Sequence, residues 1–219
     1  MTVSRGHTIA DKYRLLEPIG EGGMGTVFRA EHLALGSEVA VKLLTGAATA
    51  GDALLERFKR EARAVAQLKS PNVVQVVDFG LHEGQPYMVM ELLEGEDLET
   101  LLTREGTLPL ARAAEIVRQV CKGLTQAHAS GLVHRDLKPA NLFLASVGGD
   151  EVVKILDFGI AKHAELERST VLTSNNAVLG SPLYMSPEQT RAERVDARSD
   201  LWSLGVVLLE MLTGSSPFT

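Results

Sequence analysis

Between Tyr13 and Leu44 the apolar positions come in short alternating runs. They are YRLLEPIG, a glycine-rich turn, GTVFRAEHL, a turn at Gly36 and Ser37, and EVAVKLL with Val39 and Val41 two apart. A period of two is that of a half-buried strand, so three antiparallel strands are expected here. TGAATAGDA, residues 45 to 53, has the small residues and glycines of a loop. In LLERFKREARAVAQLK the period becomes helical, with Phe58, Ala62 and Val65 on the inward face. VVQVVDFGLHEGQPYMVMELLEG then supplies two more strands about a turn at Gly84. The first 95 residues thus predict a five-stranded antiparallel sheet with one helix.

Beyond that point the pattern is mainly helical. Ile116, Val117, Val120, Leu124 and Ala127 recur at helical spacing after Pro109, and Gly131 stops the helix. NLFLASVGGDEVVKILDFG reads as a hairpin turning at Gly148, Gly149 and Asp150. Residues 160 to 181 are polar and without period, the composition of a functional or mobile segment. LWSLGVVLLEML, Leu201 to Leu212, reads as a buried helix. It falls short of the roughly 20 apolar residues that cross a bilayer.

Composition narrows the function classes. A net charge of −6 argues against a nucleic-acid partner, which is held through surplus Lys and Arg. Cys121 is alone, and the six His fall in no C-x-x-C or H-E-x-x-H pattern, so no disulfide framework or patterned metal site is expected. The N-terminus lacks the continuous apolar core of a secretion signal, and no membrane segment is expected. A reducing, cytoplasmic compartment follows as the expectation.

Candidate chemistry begins at GEGGMGTVF, where Gly20, Gly22 and Gly25 form a G-x-G-x-x-G. Two different nucleotide sites use that order. In a dinucleotide fold the glycines open a helix, whereas here Thr26, Val27 and Phe28 continue a strand. The loop therefore reads as a strand-turn-strand flap whose backbone N–H groups can approach phosphate oxygens. Downstream come VAVK ending at Lys42, HRDLKPAN from His134 to Asn141, and DFG from Asp157 to Gly159. Four motifs in this order resemble a eukaryotic-type protein kinase domain, and RFKREA, PYMVMELLEG, DFGIAK and YMSPEQ bring it close to the bacterial Ser/Thr kinases.

The resemblance implies an α+β, bilobal kinase fold: residues 1–12 as an N-terminal extension, 13–93 as the N-lobe and hinge, and 94–219 as a partial C-lobe. It implies ATP and Mg²⁺ as cofactors and protein Ser/Thr hydroxyls as acceptors. Lys42 would pair the α and β phosphates, oriented by Glu61, which lies three after Phe58 and four before Val65 on the buried helix face rather than in a surface pair with Arg57. Asp136 would accept the substrate hydroxyl proton and Lys138 would neutralise the γ phosphate. Asn141 and Asp157 would be the Mg²⁺ ligands, being hard oxygen donors. His134 would be a packing residue. Met90, Glu91 and Leu93 would form the adenine-binding connection, with Val27, Ala40 and Phe143 against the ring faces.

Ser181 stands where such kinases usually carry Thr, and Arg135 is the type of residue that pairs an activation-segment phosphate. Thr173, then Ser174, Thr170 and Ser169, are the candidate phosphorylation sites. Trans-autophosphorylation through self-association is a further implication. The family pattern continues with more helices beyond Thr219. The expectation is therefore a truncated chain in which Glu188 lacks an Arg partner and the Asp200–Leu212 helix is partly uncovered. The alternative function is a catalytically silent ATP-binding scaffold.

Overall fold

A computed structural model describes residues 5–22, 25–44, 52–158 and 182–218. The chain divides into two compact units, Met1–Gln67 with Gln75–Leu93, and Leu68–Val74 with Glu94–Thr219.

The first unit is an antiparallel sheet of six strands, β1 Thr8–Ile9, β2 Tyr13–Gly22, β3 Gly25–His32, β4 Ser37–Leu44, β5 Val76–His82 and β6 Gln85–Glu91, in the order β1-β2-β3-β4-β6-β5. Five strands follow the alternation read from the sequence. The sixth corrects it: Thr8 and Ile9, expected in an extension, pair with Arg14 and Tyr13. Ile9 is 1% exposed, so this two-residue strand closes one end of the core. On the core face Leu15, Phe28, Ala30, Val39, Val41, Leu43, Tyr87 and Val89 pack together. The Tyr13 hydroxyl donates to Asp78 Oδ2 at 2.8 Å. Burial, reinforced by that carboxylate, holds this phenol well above its ordinary titration range. Helix α1, Asp52–Ala66, packs on β5 through an edge-to-face contact of Phe58 with Phe79, 6.2 Å between centroids.

The second unit combines a small sheet, β7 Gly95–Asp97, β8 Leu142–Val147 and β9 Asp150–Ile155, with helices α2 Leu98–Glu105, α3 Leu110–Ala129, α4 Pro187–Thr190 and α5 Ala197–Thr213. The expected hairpin is β8–β9, and β7 is a third strand that its three residues are too few to announce. Asp97 ends β7 and caps α2, accepting from Thr100 N at 2.8 Å. Helix α3 buries Ala113, Ile116, Val120, Leu124 and Ala127, with Gly131 at φ +75 just beyond its end. Its buried face also carries Gln119, whose Oε1 accepts from Val153 N at 2.9 Å and Asn72 Nδ2 at 3.1 Å. Helix α5 starts at Ala197 behind the Asp196 cap, three residues before the expected start at Asp200, and ends at Gly214 in the left-handed region. Leu201, Trp202 and Leu209 of this helix are 41% exposed or more, and Trp202 stacks on Phe218.

Two helical glycines separate packing from propensity. A Cβ on Gly123 would lie 2.7 Å from Ile155 Cδ1 and 2.9 Å from the Asn72 carbonyl oxygen, whereas one on Gly205 meets nothing within 4 Å. In urea titrations Gly123→Ala should lose about 1 to 2 kcal/mol net, and Gly205→Ala should gain up to about 1 kcal/mol. A second expectation concerns acid. The Arg198 side chain and backbone N–H pull the Asp196 carboxyl down to about 2. A depressed carboxyl contributes stability above its unfolded pKa and loses it as pH falls through the folded one. The gap in Tm between the wild-type chain and Asp196→Asn should therefore be present at pH 6 and close between about pH 4 and 2.

Candidate active site

Strand β4 has two buried faces. Val39, Val41 and Leu43 join the core, so Ala40 and Lys42 lie on the reverse face, the period of a strand being two. In register, Lys42 is opposite Val27 and Met88, and Ala40 is opposite Met90. Directly paired residues share a face, which makes Val27, Ala40, Lys42, Met88 and Met90 one surface. Lys42 is 7% exposed there. Glu61 is half-buried beside Ala62 on α1, and the side chain of Arg57, its alternative partner, lies outside the described residues.

The glycine turn joins β2 to β3, with Gly20 opposite Val27 and Gly22 opposite Gly25. The three glycines differ physically. Gly25 has φ +143, and a Cβ there would lie 2.0 Å from the Leu43 carbonyl oxygen, so the sheet itself requires glycine. At Gly20 the nearest atom to a Cβ would be 3.9 Å away, and at Gly22 there is open space. Neither is needed for packing within the chain. Further along, Glu91 is tied to Gln75 twice, its N–H donating to the Gln75 carbonyl at 3.0 Å and its Oε1 accepting from Gln75 N at 2.8 Å. Leu93 closes this unit.

In the second unit the segment from His134 to Asn141 is held from several sides. Asp200, 0% exposed, accepts from His134 N and Arg135 N, each at 2.8 Å, and meets His128 Nε2 at 2.7 Å. His134 is fully buried, with its ring 4.9 Å from that of Phe158. Its Nε2 donates to the Leu156 carbonyl at 2.7 Å, and its Nδ1 accepts from Asp136 N at 3.2 Å. Both ring nitrogens are thus engaged with backbone, which disqualifies His134 as a proton acceptor and leaves packing as its role. Arg135 has φ +66 and Asp157 φ +51, conformations that side-chain-bearing residues seldom adopt. Asn141 Nδ2 donates to the Asp136 carbonyl at 2.7 Å and faces Asp136 Oδ2 at 3.4 Å. Asn141 N also donates to the Lys138 carbonyl at 2.9 Å, so Asp136, Lys138 and Asn141 form one short-range constellation.

The hairpin brings the backbone of Asn141 beside the segment that leads to Asp157. Leu142 pairs with Ile155, so Asn141 precedes β8 just where the chain leaves β9 towards Asp157, and Leu156 N donates to the Asn141 carbonyl at 2.9 Å. Because the Asn141 amide nitrogen is committed to Asp136, its Oδ1 is the atom left for a cation. Together with a carboxylate this is an oxygen donor set suited to Mg²⁺. Phe143 follows on β8, opposite Lys154 and Asp97.

Among the described residues, the only group that gathers three residues of metal-ligating type is elsewhere: His7, His82 and Glu83 bring ligand atoms within 4.8 Å of one another, a proximity that no sequence spacing announced. The two Nε2 atoms are 3.3 Å apart, but Ala10 N donates to His82 Nδ1 at 3.2 Å. A ring that accepts at Nδ1 carries its proton on Nε2, so His82 donates to His7, and the pair is a hydrogen bond rather than a cation site.

Thr170, Thr173, Ser174, Ser169, Ser181 and Gly159 lie outside the described residues. Glu188, expected to lack an Arg partner, accepts a hydrogen bond from the Ser199 hydroxyl. Sequence reasoning missed His128, Gln189 and the anchoring role of Asp200. The available signal for the last was an acidic residue inside an apolar helix face, where a charge needs several donors.

Residues 13–219 match the model of the protein kinase domain. The chain is 44% identical over 216 residues to a serine/threonine-protein kinase, pkn3, of Myxococcus xanthus, covering 97% of this chain and 40% of that protein. It is 41% identical over 214 residues to the serine/threonine-protein kinase PknB of Mycobacterium leprae, covering 96% and 34%. It thus spans well under half the length of these relatives. The crystal structure of the Mycobacterium tuberculosis PknI kinase domain superposes with a TM-score of 0.80 at 29% identity, covering 100% of this chain and 80% of that one. Two motif-bearing units, each with the elements its motifs require, and a family match over nearly the whole length have one meaning: the chain belongs to the protein kinase family.

Proposed function

We propose that the chain is an ATP-dependent protein Ser/Thr kinase that transfers the γ-phosphoryl group to protein hydroxyls, its own included. The observation that carries this reading is the restrained carboxylate. Asp136 is fixed by the Asn141 amide and by a backbone bonded to buried Asp200 and His134, while His134 has no nitrogen left to compete as base. In the reaction the acceptor hydroxyl oxygen forms a bond to the γ phosphorus as the bond to the β–γ bridging oxygen breaks. The hydroxyl proton passes to Asp136 and ADP leaves.

Lys42, oriented by Glu61, pairs the α and β phosphates, and Lys138 balances charge on the γ group. Backbone N–H groups at Gly20, Gly22 and Gly25 approach the phosphates. The apolar face of Val27 and Ala40, with Phe143, takes the adenine, and backbone groups of the Met90, Glu91 and Leu93 segment supply its polar partners. Mg²⁺, held by Asn141 and Asp157, would offset phosphate charge. Charge stabilisation and positioning are most of what phosphoryl transfer asks of a protein. Thr173, Ser174 and Thr170 are the proposed self-phosphorylation sites. A cytoplasmic site of action fits the need for ATP. Among the described residues no helix is long and apolar enough to cross a membrane.

Intact mass after incubation with Mg²⁺ and ATP should rise in steps of one phosphate. Asp136→Asn should lower kcat by roughly 10²- to 10⁴-fold while ATP still raises the Tm. A chain whose Tm responds to ATP but which gains no mass would instead be a silent nucleotide-binding scaffold. Gly22→Ala should leave stability unchanged, because its Cβ meets nothing, yet raise the KM for ATP. Equal KM values would remove the phosphate role of that turn. Self-association predicts that autophosphorylation per molecule accelerates with protein concentration. A rate independent of concentration would mean transfer within one molecule.

A further inference from the structure

Asp200 holds the N–H groups of His134 and Arg135, but not the peptide unit from which Asp136 itself projects. That unit begins at the Arg135 carbonyl and follows a residue at φ +66; its N–H donates to His134 Nδ1 at 3.2 Å, which leaves the carbonyl side to be held. The carbonyl is met by Gln189, whose Nε2 donates to it at 2.7 Å. At its other end the same side chain accepts at Oε1 from Ser186 N at 3.1 Å and Ser186 Oγ at 3.2 Å. Ser186 is 0% exposed, and the two residues form the capping box of α4. Both ends of one amide are therefore committed, one to its own helix and one to the peptide beside Asp136. The helix is itself secured to α5 through Glu188 and Ser199.

We infer that Gln189 is a positioning residue for the transfer reaction: its amide N–H fixes the Arg135–Asp136 peptide plane and so aims the Asp136 carboxylate. The inference rests on the reading of Asp136 as proton acceptor. It also explains a choice of residue that capping alone does not. Glu would serve equally as the third residue of a capping box, accepting from Ser186 and complementing the helix N-terminus. Only Gln also carries a donor for the Arg135 carbonyl.

Two substitutions separate the halves of the amide. Gln189→Glu keeps the acceptor for Ser186 and turns an acceptor towards the Arg135 carbonyl. Gln189→Lys keeps a donor of similar reach and abandons the cap. With Gln189→Glu, kcat should fall by roughly 10- to 100-fold, with the KM for ATP unchanged and the Tm within about 2 °C of wild type. With Gln189→Lys, kcat should be largely retained although the Tm falls. Hydrogen exchange in the nucleotide-free chain gives a readout independent of catalysis: amides of residues 134 to 138 should exchange faster in Gln189→Glu than in wild type or Gln189→Lys. Activity losses that simply track the loss of Tm across both variants, or exchange unchanged in Gln189→Glu, would overturn the inference. If the wild-type chain transfers no phosphate, the functional reading fails, and the exchange comparison still decides whether Gln189 holds this peptide.

Discussion

Asp200 has no solvent exposure, yet it accepts hydrogen bonds from two consecutive backbone amides, those of His134 and Arg135, and lies against His128 Nε2. Burying a carboxylate is costly unless donors replace the water it gives up. Here those donors belong to the segment that must be held. The requirement runs both ways: Asp200 needs the loop to satisfy its oxygens, and the loop needs Asp200 to keep Arg135 at φ +66. His134 continues the chain of restraint through the Leu156 carbonyl and the Asp136 amide, and Asn141 ends it on the Asp136 carbonyl and carboxylate. A side chain on an irregular segment is kept in one place by such a hydrogen-bonded network.

The first unit solves a different problem with a sheet. Strand β4 is buried along both faces, so alternate residues belong to two different surfaces. Val39, Val41 and Leu43 fill the core, while Ala40 and Lys42 face the other way with Val27 and Met90. A one-residue slip in register would exchange the two sets and put Lys42 into the core. Gly25, confined by the Leu43 carbonyl, bars such a slip at the β3–β4 contact, because any larger residue brought there would clash with backbone.

Much of this was legible in linear order. Alternation located β2 to β6, helical spacing located α1 and α3, and the motif glycines, Lys42, Asp136, Asn141 and Asp157 could be named from their neighbours in the chain. What escaped was short or distant. β1 and β7, of two and three residues, have no period to read. Gln119 lies on the buried face of α3 as a polar residue, and its reason for being there, the amides of Asn72 and Val153, is 47 and 34 positions away. The pairing of His7 with His82 spans 75 positions.

By itself, then, the sequence determined the family and the regular elements, and it named the groups proposed to react. Those follow from periodicity and from residue types that chemistry requires at fixed local spacing. Tertiary structure alone decided how these segments are held: that both ring nitrogens of His134 are tied to backbone, that Asp200 anchors the loop, that Glu188 is met by Ser199, and that Gln189 reaches the peptide before Asp136. The physical reason is that a hydrogen bond acts over about 3 Å in space and carries no signature along the chain. Partners 54 or 66 residues apart become visible only when the fold brings them together.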